Sequence, residues 1–147
     1  MISTATFAVA LWLWHLPVPY DYTLRSDTAY WLMHATLFGS ALLLWRALLR
    51  EGLTYPGLAL FAGIATTLQM NLLGAFLTLA PRSLFSAHVG TTTPWGLTTL
   101  EDQQLGGLLM WVPGGVIFTA WTIAAFGIWL RHVSRGDMAE ITPPTGP

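Results

Sequence analysis

Residues Leu100–Gly115 read LEDQQLGGLLMWVPGG, two acids and two amides running straight into an apolar segment that continues to Leu130. Polar groups at the mouth of a membrane span are costly unless they face water or partners. The stretch therefore predicts a transmembrane helix whose opening turns face something other than lipid. On a helix, Asp102, Gln103, Gly106 and Met110 share one face. That face suits an ion, a cavity or a neighbouring helix.

The rest of the chain agrees with a membrane class. Of its 147 residues 54% are hydrophobic and 9% charged, against about a quarter charged in a soluble domain. Mean hydropathy is +0.56. Four apolar segments emerge, at about 2–16, 28–49, 56–80 and 103–130. None shows β alternation, so helices are predicted. The first is short against the ~17–25 residues of a span. It has no positive leader and no small-residue cleavage site, so it reads as a mature span rather than a signal peptide. The expected architecture is an all-α integral membrane four-helix bundle over residues 1–135. Residues 136–147, polar and rich in Pro, read as a disordered cytoplasmic tail.

Arg46, Arg50, Arg131 and Arg135 flank one side of these segments, and Arg25 and Arg82 the other. The positive-inside rule then places both termini in the cytoplasm and the long connection between spans three and four outside it. Trp12, Trp14, Tyr20, Tyr22, Tyr30, Trp31 and Trp95 read as one interfacial aromatic belt, with Trp45, Tyr55 and Trp129 as the other. A net charge of −1 lacks the basic footprint of a nucleic-acid binder. The absence of Cys excludes disulfides and thiolate metal sites formed by this chain. No phosphate loop, HExxH or GxSxG is present, and no nucleophile–base pairing supports an enzyme.

The candidate site residues gather toward the extracytoplasmic half: His15, His34, Asp102 and Met110, with Met70 near mid-span. His34 lies about 9 Å below the interface at 1.5 Å per residue. Imidazole with thioether and carboxylate, without thiolate, suits copper and Cu(I) exchange in particular. Other readings stand beside this one. His34 also suits a hydrogen bond to Gln69, Asn71 or Asp102. Asp102 also suits a helix N-cap. His88 reads first as a solvated loop residue, and the methionines as packing groups. Gly63, Gly74, Gly106, Gly107, Gly114 and Gly115 read as close-approach positions between helices.

Trp14-His15-Leu16-Pro17 followed by Tyr20-Asp21, a helix bearing His34, and the string Asp102-Gln103-Gln104-Leu105-Gly106-Gly107 through Met110-Trp111 to Pro113-Gly114 resemble the CtaG family of caa-type cytochrome c oxidase assembly factors. The resemblance covers about residues 14–130. It implies a multi-pass protein of the cell membrane that helps build the oxidase. It further implies oxidase subunits as partners and copper handling on the extracytoplasmic side. Family members usually carry further His-containing spans upstream. This chain is therefore expected to be a short or partial member, completed by partner helices or a second copy. Two readings compete. One is a haem-binding electron carrier, which needs two facing axial histidines. The other is a structural partner subunit that binds another helix through its polar face.

Overall fold

The computed structural model describes residues 2–141, and every regular element among them is helical. Helix α1 spans Ile2–Trp14, α2 Pro17–Thr23 and α3 Asp27–Arg46. A π-helical turn at Ala47–Glu51 and the short α4, Gly52–Thr54, lead into α5, Pro56–Thr78. After a long connection, α6 runs from Thr99 to Ile141. Three helical segments are long and apolar enough to cross a membrane: Asp27–Arg50, Pro56–Thr78 and Thr99–Arg135. Helix α1 qualifies only jointly with α2, from which it is bent by 77°. Helix α6 continues beyond the expected tail boundary at Gly136; residues 142–147 of that tail lie outside the described residues.

Local chemistry sets these boundaries. Leu16 precedes Pro17 and is extended, with φ −70° and ψ 141°, because the proline ring disfavours helical backbone at the preceding residue. Pro17 then opens α2 at its first turn, where a missing N–H costs nothing. The elbow follows. Ser26 caps α3 by accepting from the Ala29 amide at 3.4 Å, with Asp27 in the first turn and Arg46 in the last, both favourable to the helix dipole.

Helix α6 starts four residues before the expected position because Thr98 and Glu101 form a capping box. The Glu101 amide donates to Thr98 Oγ1 at 3.2 Å, and the Thr98 amide donates to Glu101 Oε2 at 2.8 Å. Asp102 is thus relieved of the capping role considered for it.

Helices α5 and α6 pack along their length through small residues. A Cβ at Gly74 would lie 2.5 Å from Trp111 Cβ, and one at Gly107 2.6 Å from Thr78 Oγ1. Lipid provides no hydrophobic drive between helices, so this close approach is how they hold together. Trp111 Nε1 donates to Asn71 Oδ1 at 2.9 Å across the same seam. Helix α1 lies against α3 and α5, and Phe7, Leu11, Leu44, Leu48, Leu73 and Phe118 form the common core.

Trp45 packs against this core instead of standing in an interfacial belt. It stacks on Phe118 at 5.2 Å and meets Trp121 edge-on at 6.2 Å. These aromatics join α3 to α6 near Arg46. Toward the opposite end the space between α6 and the α1–α3 pair opens into a cavity.

Candidate functional site: a cavity roofed by the long connection

The cavity has a volume of about 560 Å³. Leu11 and His15 of α1, Leu37 of α3 and Leu77 of α5 line it opposite the first turns of α6. Its roof is the connection after α5, which supplies Phe85 and His88, together with Tyr20 of α2.

Gln103 holds that roof in place. Its side chain is 6% exposed. Its Nε2 donates to the Leu77 carbonyl at 3.1 Å, and its Oε1 accepts from the Leu84 amide at 2.7 Å. One amide thereby satisfies a carbonyl in the last turn of α5 and ties the connection to α6. Asp21 adds a second tie. It accepts from Ser86 Oγ at 2.5 Å and from the Ala87 amide at 3.4 Å.

The polar end of the cavity is a chain of three side chains from three elements. Tyr20 Oη lies 2.9 Å from His88 Nε2, and His88 Nδ1 lies 3.2 Å from Asp102 Oδ2. Burial, reinforced by the Asp102 and Asp21 charges, pushes the Tyr20 phenol above its ordinary value. Where His88 is neutral, the phenol donates to Nε2. The imidazole proton then sits on Nδ1 and is donated to Asp102. Tyr20 also packs on Phe85, with ring centroids 4.5 Å apart, and stacks on His88 at 5.6 Å. His88, read from sequence as a solvated loop residue, is three-quarters covered.

His15 completes the polar end. Its Nδ1 donates to the Leu11 carbonyl at 2.7 Å. That bond fixes the tautomer and leaves Nε2 with a free lone pair.

Of the five candidate ligands, His15, Asp102 and Met110 line this cavity. His34 and Met70 are not on its lining. His34 is exposed on α3, and its Nδ1 donates to the Tyr30 carbonyl at 2.9 Å. Met70 is buried, with its terminal methyl against Gly114. His34 is thus off the cavity that His15 lines, and the two do not face each other across it as axial haem ligands would. Among the described residues, no three His, Asp or Glu side chains come together as a group able to hold a metal ion. Sequence reasoning missed Tyr20, His88 and the bridging role of Gln103. Thr-x-x-Glu at Thr98–Glu101 was a readable signal that Asp102 was not needed as a cap.

A helical membrane protein with a roofed, polar-ended cavity at one end of its bundle is the class these features define. The model of the cytochrome c oxidase caa3 assembly factor family (Caa3_CtaG) matches residues 1–132, and the chain belongs to that family. No curated protein and no solved structure matches the chain.

Proposed function

We propose that the chain acts as a non-enzymatic assembly factor in the plasma membrane, crossing it four times with both termini in the cytoplasm. In this reading α1 is the fourth span and α2 lies along the interface. The cavity then opens at the extracytoplasmic end, where it handles copper as cargo for an oxidase subunit. The arginine distribution supports the orientation, and family membership supports the oxidase as client.

One observation carries the copper reading. His15 Nε2 is left unpaired in a cavity that also contains the Met110 thioether. Imidazole with thioether suits Cu(I), which is content with few ligands and exchanges readily from them. Asp102 is a third donor on the same lining, in competition with its bond from His88. His34 and Met70 enter this reading only through a partner helix or a second copy that brings donors to them.

The test is complementation of a deletion strain with the wild type, His15→Ala, Met110→Leu and the double variant, at matched protein levels. The expected outcome is oxidase depleted in copper for the single variants and more so for the double, with rescue by added copper. Normal copper content in oxidase from the double variant would overturn the copper reading. If disruption of the Gly74 seam then abolished assembly, the structural-subunit reading would stand.

A further inference from the structure

We propose that the cavity is a binding site for an apolar molecule carrying one hydrogen-bond-donating head, a hydroxyl or a phenol. The volume is the first reason. A metal ion held by two or three side chains needs no apolar chamber, whereas about 560 Å³ lies within the ~300–1,000 Å³ of small-molecule sites.

The division of the lining is the second reason. Leu11, Leu37, Leu77, Phe85, Leu105 and Leu109 provide an apolar body. The polar end offers two acceptors, the free Nε2 of His15 and the Asp102 carboxylate, beside the Thr99 hydroxyl, which can donate or accept. No Arg or Lys lines the cavity. A phosphate-bearing head would therefore meet the Asp102 charge with no cation to offset it. A neutral donor head meets two acceptors instead.

Gly106 is the third reason. Gly74 and Gly107 are small because neighbouring atoms crowd them. At Gly106, which lines the cavity, an added Cβ would meet no heavy atom within 4 Å. Its missing side chain keeps space open rather than letting helices touch. Leu105 and Leu109 line the cavity and are also 44% and 65% exposed on a helix long and apolar enough to cross a membrane, so we take this exposed wall as the entrance. A ligand that arrives through hydrocarbon is thus the one this entrance admits. The inference uses the cavity of the proposed function but not its copper, so the two can fail separately.

The experiment uses the full chain, purified in detergent with a chelator present. Native mass spectrometry reads the binding of 4-decylphenol, of 4-decylanisole, in which the donor is methylated, and of decyl phosphate. The expected result is saturable binding of one 4-decylphenol per chain. The other two probes should bind about tenfold more weakly, the equivalent of one charge-assisted hydrogen bond. Gly106→Leu should lose binding, while Gly127→Leu, which also meets nothing within 4 Å but lies off the cavity, should bind as the wild type does. Should Gly106→Leu fail to fold, the double variant His15→Phe, Asp102→Leu takes its place and should bind phenol and anisole alike. Equal binding of phenol and anisole to the wild type would overturn the proposal, as would tighter binding of decyl phosphate or undiminished binding by Gly106→Leu.

Discussion

Replacing Gln103 with Leu keeps the side-chain volume close to the original and removes both of its hydrogen bonds. The Leu77 carbonyl and the Leu84 amide, at 3.1 and 2.7 Å from the amide group, each lose a partner. A hydrogen bond contributes a net ~0.5–1.5 kcal/mol. Gln103 is buried at 6% exposure, so no water stands ready to replace it. Two bonds at about 1 kcal/mol each give about 2 kcal/mol. The two bonds hold the end of α5 and the connection that follows it to α6, so this energy opposes local opening of that joined segment more than separation of the α5–α6 seam deeper in the bundle. Opening should therefore become about 30-fold more frequent, at 1.4 kcal/mol per factor of ten. Hydrogen exchange of the peptide containing Leu84–His88, measured in nanodiscs, reads this directly. Gln103→Glu should fall between wild type and Leu, since a carboxylate still accepts from Leu84 but cannot donate to Leu77. Exchange within threefold of wild type in Gln103→Leu would refute the assignment of Gln103 as the tie between roof and helix.

Further outcomes are expected. Gly74→Ala should lower thermal stability by about 1–3 kcal/mol, because the new methyl collides with Trp111 next to its backbone; Gly39→Ala, with open space around it, should leave the melting temperature unchanged or raise it. Thr98→Ala should cost about 1 kcal/mol and show as faster exchange in the first turn of α6, with Asp102 still paired to His88. Tyr20→Phe should keep the contact with Phe85 but free His88 Nε2. Limited proteolysis should then cut the connection near Ser86 faster than in wild type, and the imidazole nitrogen resonances of His88 should shift.

The long helices were legible because apolar runs of that length have few other solutions. Crowded glycines were legible for a related reason: helices that meet in lipid need small residues where they touch. The facing of each helix was much less so. His34 shows why. Lipid on the outside is as apolar as the bundle interior, so periodicity does not say which side of α3 is buried. His34 could be assigned a depth but not a direction, and it faces outward. Trp45 failed similarly, since an aromatic near a span end suits an interfacial belt and an interhelical stack equally well. The polar end of the cavity was hidden for a different reason. Tyr20 and His88 are 68 residues apart, and their pairing exists only once the elbow before Pro17 turns α2 over the connection. Asp102, Gln103 and His15 announced themselves, as polar groups where polar groups are expensive.

The 77° elbow between α1 and α2 has a mechanical corollary. It is anchored by proline, and α2 bears Tyr20 and Asp21, both bonded to the connection above the cavity. A lever of this kind converts tilt into lift: if α1 leans in a bilayer of different thickness, α2 rises or falls with it and drags the ceiling along.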